Sequence, residues 1–196
     1  MATKTDICNY AITFIGGRPI SSIDQDQQEA ILCKRFYDMA RTAVLRDHKW
    51  SFAKKSVALA VTTDTDFVGW AYAFMYPTDA LYIEGIYNSA SPNTNIEFEI
   101  RTNTAKNKKY IMSNEQYPYI TYTANVDEEA LFDSLFIEAF AYKLAAVITV
   151  PLNGNLQIVQ LVEQKYAMSM AKAKASDSNE KYKSPTLDNS LLGARN

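Results

Sequence analysis

A single histidine, His48, rules out any metal site that needs two, and the two cysteines, Cys8 and Cys33, lie too far apart in sequence to form a closely spaced zinc pattern. The six glycines form no G-x-G-x-x-G, no G-x-x-x-x-G-K-[ST] and no G-x-S-x-G, so the usual phosphate cradles and the nucleophile elbow are missing. Charge of one sign is lacking too. The net charge is -2, without the basic stripe of a dedicated nucleic-acid binder. The longest apolar run, Leu144 to Val150, is too short to span a bilayer, and no membrane partner is expected. The start M-A-T-K-T-D runs straight into a helical pattern and reads as lacking a signal peptide. Without secretory context, Cys8 and Cys33 read as buried, reduced thiols of a cytosolic product rather than as a disulfide.

What is present is a chain of 196 residues, 47% apolar, enough for one cored domain or one domain carrying an insertion. Tyrosine is abundant, at 13 residues, and suits both interfaces and strands. Ile7, Tyr10, Ala11 and Phe14 repeat at helical spacing, predicting a helix over 3–15 with Thr3 or Thr5 as cap and Gly16-Gly17 as stop. Ser21, Ser22 or Asp24 is expected to cap a longer helix from Asp26 to about His48. Its inner face would hold Ile31 or Leu32, Phe36, Met39 or Ala40, Ala43 and Val44.

At Trp50 the period changes from helical to two. Strands are expected over 54–61, 67–74, 81–87, 96–101, 109–113 and 119–124; I-E-F-E-I-R, from Ile96 to Arg101, is the cleanest alternation. Asn125 or Asp127 would open a third helix, with Glu128 and Glu129 in its first turn facing the helix dipole. This helix is apolar on nearly all sides, which predicts a central, buried position, and Pro151 and Gly154 would end it. A fourth helix runs from about Leu156 to Ala175, followed by a frayed S-D-S-N-E-K. The fold class is therefore α+β: a helical bundle from both chain ends (1–52 and 125–182), an inserted small antiparallel β domain (53–124) and a flexible C-terminal tail (183–196).

Candidate chemistry is sparse. Glu97 and Glu99 share one strand face, like a glycosidase carboxylate pair, but read as the solvent side opposite Ile96, Phe98 and Ile100. Asp47 and His48 invite a base-and-orienter reading, yet neighbours on a helix do not face each other and no nucleophile is placed beside them. No catalytic residue and no cofactor is expected. Arg41, Arg46 and Lys49, with Lys54 and Lys55, form the one basic cluster; it could touch phosphate, pair with acids of a neighbouring subunit, or stay solvated. Arg41 to Ala60 is the most informative stretch, because a helix that turns on Trp50 and Phe52 into a strand fixes how a helical body meets a β block.

Several patches, in order, resemble the podophage tail tubular protein A family, the head-to-tail adaptor ring beneath the portal. They are A-I-T-F-I-G-G-R-P-I-S-S-I-D (Ala11 to Asp24), the exit Leu45, Arg46, Trp50, Phe52 and Ala53 of the long helix, and W-A-Y-A-F-M-Y-P-T-D-A-L-Y-I (Trp70 to Ile83). The return helix from Asp127 and the L-L-G-A-R end complete the likeness, which covers nearly the whole chain. The chain departs from the family by one extra residue in F-M-Y-P and by a terminus without tryptophan.

The resemblance implies a structural virion protein, assembled in the host cytoplasm, whose copies form a dodecameric ring between portal and tail nozzle and give passage to DNA as non-specific cargo. A channel for moving DNA should not be strongly basic, because phosphate pairing would hold the DNA in place. The expected subunit or portal contacts are Arg41, Arg46, His48, Lys49 and Trp50 at the helix exit, with Leu191, Leu192 and Arg195 of the tail. The competing reading is a monomeric module that binds a peptide or carbohydrate through an aromatic face of Trp70, Tyr72, Phe74, Tyr82 and Tyr87.

Overall fold

A computed structural model describes residues 2–63, 68–88, 90 and 94–180. The helix α1 (Lys4–Phe14) begins where expected. The Thr3 hydroxyl accepts the Asp6 backbone N–H at 3.2 Å, and the Asp6 carboxylate accepts the Thr3 N–H at 2.9 Å, a reciprocal capping box. The Thr3 N–H, and then the Thr3 hydroxyl donating at 2.8 Å, hold the Asp6 carboxyl below its ordinary range. Gly16, at φ 71°, ends the helix in the left-handed region, and the Gly17 N–H returns to the Ile12 carbonyl at 2.9 Å. Asn9 then brackets Ile20 with two bonds, accepting its N–H at 2.8 Å and donating to its carbonyl at 2.9 Å, which lays the extended segment against α1.

The second helix, α2, spans Gln28–Arg46 and starts later than the sequence suggests. Gln27 occupies the cap position without a capping bond from its side chain, which instead donates to the Arg18 carbonyl and Glu29. The expected caps are used locally: the Ser22 hydroxyl accepts the Asp24 N–H at 3.2 Å, and Asp24 pairs with Lys34 at 2.6 Å. Of the expected inner face, Leu32, Ala40 and Val44 are buried and Phe36 packs partly buried against the core, and Ala30, Cys33, Tyr37, Arg41 and Leu45 are buried with them. Ile31 and Met39, the alternatives to Leu32 and Ala40, lie outside, about half exposed.

After a 3-10 turn at Ser51–Ala53 come six strands: β1 (Lys54–Ala58), β2 (Tyr72–Met75), β3 (Ala80–Tyr87), β4 (Phe98–Asn103), β5 (Lys108–Ser113) and β6 (Tyr119–Ala124). They form two three-stranded antiparallel sheets, one ordered β1-β6-β3 and the other β2-β5-β4. Phe74 and Ile111 from one sheet pack with Ile83, Ile86, Ile120 and Tyr122 from the other as one apolar cluster between the sheets. Trp70, with Ala73, Tyr110 and Met112, forms a smaller cluster on the opposite side of the second sheet, and Glu99 on that side accepts the Trp70 indole N–H at 2.9 Å. Glu99 is thus not a plain solvent-face residue. Arg101 at 2.8 Å and then Trp70 hold its carboxyl below the ordinary range.

The helix α3 (Ser134–Asn153) does not start at Asn125 or Asp127. Glu128 and Glu129 precede it, as the cap residue and first residue of a separate 3-10 turn at Glu129–Leu131, so they are not partners of its dipole. Phe132 is extended, which lets its ring enter the core, and Asp133 caps α3 by accepting the Leu135 N–H at 2.8 Å. Pro151 sits inside the last turn, and Gly154, at φ 65°, makes the stop. Asn155 then caps α4 (Leu156–Glu180), accepting N–H groups from Gln157 at 3.0 Å and Ile158 at 3.2 Å.

The helices α1, α2 and α4 all pack on α3. By length and hydropathy α3 alone among the described residues could cross a membrane; burial under three helices accounts for that apolarity. Cys8 and Cys33 are buried free thiols at the α1–α2 contact, and the Cys33 thiol beside it pushes the Cys8 pKa far up. The fold is α+β, with four helices and two small antiparallel sheets among the described residues.

Candidate assembly interface

Where α2 ends, it meets α3, α4 and the first sheet. Trp50 is 1% exposed. Its ring packs edge-on against Phe136 at 5.1 Å and His48 at 5.0 Å, and lies 5.9 Å from Phe52; its indole N–H donates to the Val44 carbonyl at 2.9 Å. Phe52 in turn contacts Phe136 and Phe132. A tryptophan buried with its one donor satisfied stabilises this corner by several kcal/mol, at roughly 25 cal/mol per Å² over 150–250 Å². Trp50 is therefore a core residue of the joint and is not available to a partner.

His48 and Asp47 face different neighbours, as adjacent helical residues should. His48 Nε2 lies 2.8 Å from Asp177 Oδ2 near the end of α4, and Asp177 Oδ1 accepts the Ser51 N–H at 2.8 Å. Asp47 accepts the Tyr166 hydroxyl, and burial followed by that bond pushes the Tyr166 pKa far up. The frayed end expected after Ala175 is instead helical to Glu180, with Asp177 buried. Asp177 was missed because its sequence neighbours are small and polar. The available signal was position, since Met170, Ala173 and Asp177 share one helix face.

The expected basic cluster divides in two. Arg41 is 4% exposed; it donates to the Val126 carbonyl and pairs with Asp38 at 3.1 Å, so it ties α2 to the segment before α3. Arg46 and Lys49 are exposed, with Arg46 donating to the Leu81 carbonyl at 2.8 Å and the Lys49 ammonium 5.9 Å from the Tyr82 ring centre. Together with Asp47, His48 and Thr123 they line an open cleft of about 410 Å³. Lys54 continues it, since Lys54, Thr123 and Tyr82 stand in one row across the first sheet. Lys55 points elsewhere and meets Asp79 at 2.7 Å. Leu191, Leu192 and Arg195 lie outside the described residues.

Neither a protein-family model nor a curated protein matches this chain. Among the described residues no three His, Cys, Asp or Glu side chains group as metal ligands. The five aromatics of the competing reading share no face: Phe74 is buried between the sheets, Trp70 covers the far side of the second sheet, and Tyr82 is exposed on the first.

Proposed function

We propose that this chain is a structural virion protein of the neck, a head-to-tail adaptor whose copies form a ring, of dodecameric size, between portal and tail nozzle and leave a passage for DNA. In this reading the helices from both chain ends form a bundle, the strands form an inserted β domain, and no step of catalysis is involved. One observation carries it beyond the resemblance itself. Two of the segments that resemble the tail tubular protein A family, Leu45 to Ala53 and Trp70 to Ile83, touch each other in the fold: Arg46 holds the Leu81 carbonyl, and Lys49 sits against Tyr82. Likeness at two distant stretches that turn out to be one contact supports a shared architecture over chance similarity. A ring made of one kind of chain needs a rigid joint so that head-to-tail contacts close at a fixed angle, and the Trp50 corner supplies rigidity of that kind.

Native mass spectrometry of the purified chain, alone and mixed with the portal ring of the same virus, tests the reading. A ring alone, or a monomer that assembles on the portal, is the expected result. A chain that stays monomeric and ignores the portal overturns it.

A further inference from the structure

The two longest helices are unequal. Only Gly154 and Asn155 separate α3 from α4, so the two run antiparallel, and α4 has 25 residues against 20 in α3. At about 1.5 Å per residue, α4 therefore passes the start of α3 by more than one turn. Asp133, the cap of α3, stands level with Ser176 and Asp177, since all three line one small cavity with Trp50, Ser51 and Phe52. The overhanging turn has little apolar burial to hold it. From Lys174 to Asn179 the one buried side chain is Asp177; Ala175, Ser178 and Asn179 are exposed, and the space beneath is a cavity of about 60 Å³ rather than packed side chains. Its attachment is polar: Asp177 Oδ2 lies 2.8 Å from His48 Nε2, and Asp177 Oδ1 accepts the Ser51 N–H at 2.8 Å. Ser51 opens the 3-10 turn, so no carbonyl within that turn serves its N–H.

We infer that the last turn of α4 is a latch: Asp177 pins it to the joint through His48 and Ser51, and it opens as one unit while α1, α2, α3 and the body of α4 stay packed. Segments with little apolar burial open more readily than the whole fold, and here the bonds to one carboxylate break together. The body of α4 does not share this freedom, because Val162, Met170 and Ala173 are buried in the core. Opening turns the Trp50 and Phe52 wall of the cavity to solvent. The joint then has two forms, a closed one with Trp50 covered and an open one that offers an aromatic surface. The device belongs to a single chain and does not depend on the ring reading.

Amide hydrogen exchange, resolved residue by residue by NMR, tests it on the unaltered chain. Ser51 and residues 175–180 should share one opening constant, at least about tenfold larger than that of residues 158–170 and of α3. A gradient that rises towards Glu180 while Ser51 stays as protected as α3 is ordinary fraying and overturns the latch. Asp177→Ala should raise exchange over 175–180 by at least about tenfold and leave 158–170 and α3 unchanged. Asp177→Asn, which keeps one acceptor oxygen, should raise it less. With Trp70→Phe, Trp50 is the sole tryptophan, and acrylamide should quench it more strongly once Asp177→Ala is added. Exchange that rises equally in α3, or quenching that does not change, overturns the latch in favour of a carboxylate that supports the whole fold. If Asp177→Ala does not fold, the exchange pattern of the unaltered chain decides alone.

Discussion

Asp177 and Trp50 work at the same corner by different physics, and their substitutions should separate the two. Asp177→Ala leaves the Ser51 N–H and His48 without their carboxylate, one of them a backbone donor in a half-buried place, and should cost about 1–3 kcal/mol. Asp177→Asn keeps one oxygen as acceptor and should cost less; urea melts of both variants measure the difference, and equal losses would argue against the backbone bond. Trp50→Ala removes a packed ring and should cost about 3–5 kcal/mol, whereas Trp50→Phe keeps the contact with Phe136 and should recover part of that loss in the same melts. Trp50 was legible in the sequence as a landmark but was read as a contact with a partner. Nothing local says whether an aromatic at a change of period points inward; here Phe136, distant in sequence, decides it. Arg41 misled for the same reason, since its use of a backbone carbonyl from the segment before α3 is a long-range fact.

Elements with one clear signal were legible, and those with two competing signals were not. Of the two threonines offered as cap for α1, Thr3 is the one used, and Tyr119 to Ala124 alternates between turns; both elements lie where the sequence suggests. Between Asn125 and Ser134 two acidic starts compete, Asp127 with Glu128 and Asp133 with Ser134. The second wins because an extended Phe132 reaches the aromatic core, a gain that propensity does not contain. Helix stops can be tested more sharply. Gly16 and Gly154 both have left-handed backbones, and an added Cβ would meet nothing within 4 Å, so Ala at either position should cost only the conformational strain, roughly 1–2 kcal/mol. Thermal melts check this, and a null effect at both sites would mean the caps relax to another conformation.

At the scale of the molecule, the turn before β3 is tied to β1 and β6 by charge as well as by chain. Asp79 accepts from Lys55 at 2.7 Å and from the Tyr122 hydroxyl at 3.0 Å, and its backbone carbonyl accepts the Asn125 N–H at 2.7 Å. The Lys55 bond, followed by the Tyr122 bond, holds the Asp79 carboxyl below its ordinary range. A lowered carboxyl contributes stability that is full above about pH 4 and is lost as pH falls through its folded value. Urea melts below pH 5 should therefore show a smaller acid loss in Asp79→Asn than in the unaltered chain. Tyr122 gives the opposite sign: burial, then Asp79, push its pKa up to about 12. Its contribution is full below about pH 10 and declines from there towards pH 12, and Tyr122→Phe should flatten that alkaline decline. Similar acid and alkaline slopes in variants and parent would mean these bonds contribute nothing to folding.

The antiparallel pairing of β1 with β6 has a further consequence, for inheritance. Lys54 stands opposite Thr123, so the chain leaves the helical layer and re-enters it at neighbouring points about 5 Å apart. Everything between leaves and returns at one place, and Leu81 and the Arg46 bond to its carbonyl are further ties to the helices. Joining Ala53 to Asn125 through two or three glycines should give a shorter chain that keeps its helical circular dichroism. Lineages of this protein could then trade their sheets for different partners while carrying the same helices unchanged.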